Sequence, residues 1–131
     1  TGGGKPPLNL HIIDRPQKIQ GVRVVPLELI HGRMPVLGYR INKVAYITDL
    51  TYLPDSTLRL LGGLDVLVLD CLRAEKHPTH LNIEESLQMA ARIGAKSTFF
   101  THMGHEIEYK QFLKSLPKNM FPAHDGLVIR A

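Results

Sequence analysis

Two patterns of apolar and polar positions divide the chain. Short strand-like runs closed by turn residues come first, and strand-like runs alternating with helical stripes follow. Leu8 to Ile13 reads as a strand, and Val22 to Ile30 as a second, with Pro26 marking an edge or a bulge. Val36 to Ile41 and Val44 to Thr48 flank Asn42-Lys43, the signature of a tight hairpin. Pro54-Asp55-Ser56 opens a short helix that stops at Gly62-Gly63. Val66 to Leu69 is continuously apolar, as expected of a buried sheet position. Asn82 and Glu85 have the spacing of a capping box, Ile83, Leu87, Ala90 and Ala91 share one helical face, and Gly94 supplies the stop. Thr98 to Thr101 predicts another strand. Tyr109, Phe112, Leu113 and Leu116 mark an amphipathic helix ended by Pro117, and Leu127 to Ile129 predicts a last short strand. The order of elements places the chain in the α/β class, or in a mixed αββα layer arrangement.

A length of 131 residues gives room for one domain with its own core. The 16 Lys and Arg against 12 Asp and Glu leave a mildly basic balance, but the basic residues are scattered and lack interleaved aromatics. Nucleic-acid binding is therefore not expected, whereas a small anionic substrate suits the charge. Cys71 is the single cysteine, so no internal disulfide forms, which fits a reducing cytoplasm. No apolar run is long enough to span a bilayer. Gly2-Gly3-Gly4 lacks the loop-to-helix context of a phosphate loop and reads as a flexible leading segment. The chain begins Thr-Gly-Gly-Gly rather than with Met, which suggests an upstream portion.

Candidate chemistry stands at the predicted strand ends. Leu-Glu-Leu-Ile runs into His31-Gly32, Val-Ala-Tyr-Ile-Thr into Asp49, Val-Leu-Val-Leu into Asp70, and Thr-Phe-Phe-Thr into His102. Sites in layered α/β folds gather at the carboxyl edge of the sheet, where a rigid strand aims a side chain at a cleft. Two histidines and a carboxylate presented this way suit zinc, manganese or iron. Taken alone, Asp49 could equally cap the turn before Pro54. His80, in His77-Pro78-Thr79-His80, is a candidate general acid or phosphate contact, and His77 is given no role. Of His102 and His105, one ligates while the other supports it. His11 and His124 read as surface or strand residues, and Arg33 as a solvated one.

The stretches His31-Gly32, Ile47-Thr48-Asp49 and Phe99-Phe100-Thr101-His102-Met103-Gly104-His105 together resemble the second half of the metallo-β-lactamase fold. Asp65 to Ala91, containing Thr79-His80-Leu81-Asn82-Ile83-Glu84-Glu85, is similar to the phosphoribosyl cyclic phosphodiesterase branch. The resemblance runs from about Val22 to Ile107. It implies half of an αββα sandwich, a mixed sheet with helices on one face. It further implies that His31 completes a first metal site, Asp49 bridges two divalent ions (zinc or manganese), and His102 completes the second. His80 would be the acid or phosphate-contacting histidine, and a metal-activated hydroxide would attack phosphorus.

The family's first motif, His-x-His-x-Asp-His, has no counterpart in the chain, and His77-Pro78-Thr79-His80 has neither its spacing nor its position. Residues 1–131 are therefore expected to be the C-terminal portion of such a domain, inactive alone. Either an N-terminal half supplies the missing ligands, or the chain pairs with a second copy, or catalysis has been lost. Asp70 stands where Asn is expected in close relatives; the added carboxylate either alters metal preference or holds a loop. The alternatives are a non-catalytic binding or scaffold module, and a hydrolase of a thioester, lactone or nucleic acid.

Overall fold

A computed structural model describes residues 7–130; Gly2-Gly3-Gly4 lies outside the described residues. The elements run β1 (Gln17–Ile19), β2 (Val22–His31), β3 (Met34–Ile41), β4 (Val44–Ile47), α1 (Asp55–Leu58) continued by a 3₁₀ turn (Arg59–Leu61), β5 (Val66–Asp70), α2 (Ile83–Ile93), β6 (Ser97–Thr101), α3 (Tyr109–Ser115) and β7 (Met120–Pro122). The strands form one seven-stranded sheet in sequence order. The first three pairings are antiparallel and the last three parallel, so the sheet is mixed, as expected.

Local chemistry explains the hairpins. Ile41 faces Val44 across Asn42-Lys43, with Asn42 at φ 52°. His31 faces Met34 across Gly32-Arg33, where Gly32 at φ +65° takes a backbone that side chains rarely adopt. The unforeseen β1–β2 hairpin turns at Gln20-Gly21, both with positive φ, which is the backbone a two-residue hairpin favours. β1 reaches only Val24, so Pro26 lies where β2 is the sheet edge and its missing N–H breaks no ladder on that side.

The core lies on one face of the sheet. Leu27, Leu29, Ala45, Ile47, Leu67, Leu69 and Phe100 are fully buried. Helix α2 packs over β5 and α1 over β2; α2 is held by the expected Asn82–Glu85 capping box and by Gly94 in the left-handed region. Its buried face differs from the expected one: Ala91 is exposed, whereas Ser86 is buried. The Ser86 hydroxyl donates to the carbonyls of Asp70 (2.7 Å) and Asn82 (2.8 Å), so a polar residue is satisfied there.

Two expected strands are absent. Leu8 to Ile13 forms no ladder, and Leu10 is 92% exposed. Leu127 to Ile129 also finds no partner; the last strand is Met120–Pro122, whose side chains Met120 and Pro122 reach the core. Apolarity alone predicted the wrong segment because pairing with β6 requires proximity as well. No described helix is long and apolar enough to cross a membrane.

Candidate metal centre

Strands β2, β4, β5 and β6 all run in the same direction, since two antiparallel steps separate β2 from β4. Their carboxyl ends therefore meet at one edge. His31 ends β2, Asp70 ends β5, Asp49 follows β4 and His102 follows β6. Asp49 and His102 both have left-handed backbones, at φ 61° and 59°. Such conformations cost about 1–3 kcal/mol each in residues other than glycine and cluster at functional sites. Here they turn two side chains back over the strand ends.

Oδ1 of Asp49 lies 3.4 Å from Nε2 of His102 and 3.7 Å from Nδ1 of His80. His80 Nδ1 donates to Oδ2 of Asp70 at 3.2 Å, and the Leu81 N–H donates to the same oxygen at 3.4 Å. The His80 proton on Nδ1 leaves Nε2 free to exchange a proton with a ligand. Asp70 is fully buried, and its Oδ1 has no partner among the described residues. Burial raises its pKa, opposed by the interaction and hydrogen bond with His80.

Asp49, Asp70, His80 and His102 each bring one donor atom within 4.8 Å of the others. Mixed carboxylate and imidazole donors fit a divalent first-row ion, and the orphaned Asp70 oxygen is an acceptor that a cation could satisfy. His31 lies outside that set. Its ring centre is 4.6 Å from that of His80, and Nδ1 donates to the Thr79 carbonyl at 2.7 Å, so Nε2 is the ring atom left to meet a ligand. Thr51 holds the His31–Gly32 turn: its hydroxyl accepts from the Gly32 N–H and donates to the Ile30 carbonyl, both at 3.0 Å.

His105 makes no contact with this group. Its side chain is fully exposed and stands 3.6 Å from Glu106. Arg33 is exposed, as expected. Cys71 is buried beside the site, and burial pushes its thiol up to about 12, so it is inert. His77, for which the sequence predicts no role, has its ring centre 5.2 Å from that of His80. The repeated histidine in His77-Pro78-Thr79-His80 was the available signal.

The family profile for the beta-lactamase superfamily domain matches residues 3–103. An octanoyltransferase from Porphyromonas gingivalis is 31% identical over 116 residues, which cover 87% of this chain and 24% of that protein. The crystal structure of a diphosphatase from the PhnP family superposes with a TM-score of 0.87 at 37% identity, covering 88% of this chain and 46% of that one. The metallo-β-lactamase fold protein YhfI from Bacillus subtilis superposes at 0.71 with 23% identity, covering 87% of this chain and 52% of that one. The chain thus spans about half the length of these solved structures and a quarter of the octanoyltransferase.

Proposed function

The chain belongs to the beta-lactamase superfamily domain family, and from that premise we propose that it is one half of a metal-dependent hydrolase acting on a small anionic phosphodiester, cyclic or open. The observation that carries this reading is the convergence of Asp49, Asp70, His80 and His102 at one sheet edge within 4.8 Å. The PhnP-family diphosphatase, 37% identical, supports phosphorus chemistry over other hydrolyses.

In this reading Asp49, His31 and His102 would help to hold two divalent ions, zinc or manganese. When bound, the ions supply Lewis-acid stabilisation of negative charge on the phosphoryl group. His80 gives a proton from Nε2 to the leaving oxygen, and Asp70 orients its ring through Nδ1. These residues leave each ion short of the three or four protein ligands that zinc takes. We assign the remainder to a preceding half of the same polypeptide. Its packing surface would be the open sheet face, where Leu37 is 44% and Tyr46 is 52% exposed. An unpaired buried thiol at Cys71 suits the cytoplasm.

The test is metal analysis of the intact polypeptide together with a cyclic phosphodiester assay. Two ions per polypeptide and loss of turnover to background in Asp49→Ala are expected. Full activity in Asp49→Ala would sink its role as a metal ligand. An unchanged melting temperature with zinc and manganese, without turnover, would instead favour a binding module. A thioester reading draws support from the octanoyltransferase relative; an octanoyl thioester run in the same assay separates the two.

A further inference from the structure

The sheet edge opposite the metal centre carries a group of cations without a counter-charge. Lys18 of β1 directly faces Arg23 of β2. Val25 faces Arg40 of β3, and Arg23 lies two residues before Val25 on the same face. The two arginines are therefore diagonal neighbours, with backbones about 7–8 Å apart. No carboxylate pairs with Lys18, Arg23 or Arg40 among the described residues. Lys96, just before β6 at the same edge, is by contrast neutralised by Asp65 at 2.7 Å. Like charges set opposite one another destabilise a hairpin, and no described side chain offsets that cost here.

Arg40 is fixed as well as unneutralised. Its Nε donates to the Asn42 carbonyl at 2.8 Å, and its Nη1 donates to the carbonyls of Leu60 and of Gly62, the latter at 3.0 Å. These bonds fasten the guanidinium between the β3–β4 turn and the end of the 3₁₀ turn. They engage carbonyl dipoles only, so the positive charge remains, and the N–H donors of Nη2 are left for a ligand. Arg23, Arg40 and Asn42 line a cleft of about 310 Å³ whose other walls, Pro16, Val25 and Leu60, are apolar. That volume lies at the lower end of the range for small-ligand pockets. Lys18 stands beside it, on an adjoining surface that shares Pro16 and Arg23.

Forked guanidinium donors match phosphoryl oxygens, and three adjacent cations complement a ligand with several negative charges. We propose that Lys18, Arg23 and Arg40 form a binding site for an oligophosphate, a ligand with two or more linked phosphoryl groups, at the edge remote from the metal centre. Arg40 is the fixed anchor, Arg23 meets the phosphoryl chain from the diagonal position, and Lys18 adds charge beside it. The ligand is inorganic or carries a nucleoside; Pro16, Val25 and Leu60 are the surface that a base would meet. Arg23 stands near the start of β2 and His31 at its end, so the site is independent of the chemistry proposed for the metal centre.

The experiment is calorimetric titration of inorganic triphosphate into the intact polypeptide at about 0.15 M salt, where weak surface attraction is screened. Wild type should bind it, and Arg23→Met and Lys18→Met should each weaken binding by about 10-fold, the loss of one charge-assisted hydrogen bond. Arg33→Met removes the same charge at the other end of β2 and should leave the affinity within about twofold. Equal losses in all three variants, or no binding by wild type, would overturn the site. Removal of bound metal with a chelator should leave the affinity unchanged. Loss of binding along with the metal would place triphosphate at the metal centre and overturn the proposal. ATP in the same titration separates the two sources. Binding no tighter than triphosphate assigns the site to the phosphoryl chain alone, tighter binding adds the nucleoside, and both support the site. Melting curves give a second readout: triphosphate should raise the melting temperature of wild type more than that of Arg23→Met or Lys18→Met. A gain shared equally by wild type and both variants would overturn the site.

Discussion

The two faces of the sheet are made from similar residues and have opposite fates. On the helix side the cross-strand row Ile47, Leu69, Phe100 and Pro122 is buried under α2 and α3, as is the row Ala45, Leu67, Thr98 and Met120. On the other side the row Tyr39, Tyr46, Val68, Phe99 and Phe121 is just as apolar, and Phe99 stacks on Phe121 at 5.4 Å. None of those five residues is fully buried, and Tyr46 is half exposed. A strand alternates its side chains between faces, so a continuous run such as Val66 to Leu69 equips both sides for burial. Stability in this chain is drawn from the covered side, and the open row is equipment that the described residues do not use.

The sharpest way to break that comparison is Phe100→Ala. Phe100 is fully buried and packs on Phe112 with ring centres 5.9 Å apart, so its truncation should cost about 3–5 kcal/mol in a denaturant titration. A loss comparable to a surface substitution would mean that the helix-side core is not where stability resides. A middle effect is expected from Asn82→Ala, which removes the acceptor for the Glu85 N–H at 2.9 Å at the start of the covering helix. The cost should be about 1 kcal/mol, read as a lower denaturation midpoint with unchanged m. The smallest effect is expected from Tyr46→Ser, within about 0.5 kcal/mol in this chain because the side chain is half exposed. The same substitution should cost several times more in a longer polypeptide if a preceding half covers the open row. Equal values in both would remove that half from this face.

Much of the architecture was legible because it is written locally. Asn42-Lys43, Asn82 with Glu85, and Gly94 act through their own backbones within a few residues, and each appears where expected. The errors share one cause. Leu8 to Ile13 and Leu127 to Ile129 have strand-like composition but no neighbouring strand, whereas Met120–Pro122 is short and ends in proline yet pairs with β6. Ladder formation depends on what lies alongside, which a local pattern does not contain.

The candidate site divides the same way. Residue types and strand-end positions for His31, Asp49, Asp70 and His102 were readable in order along the chain, because strands end where turn residues and apolar runs meet. Their convergence was set by strand direction, which takes β2, β4, β5 and β6 to one edge. So was the partnership of His80 with Asp70, ten residues apart, and the arrival of His77 beside His80. A hydrogen bond across a loop and a ring contact between side chains depend on how the backbone closes at its neck. That closure is a property of the packed sheet and helix together, not of the dozen residues that make the loop.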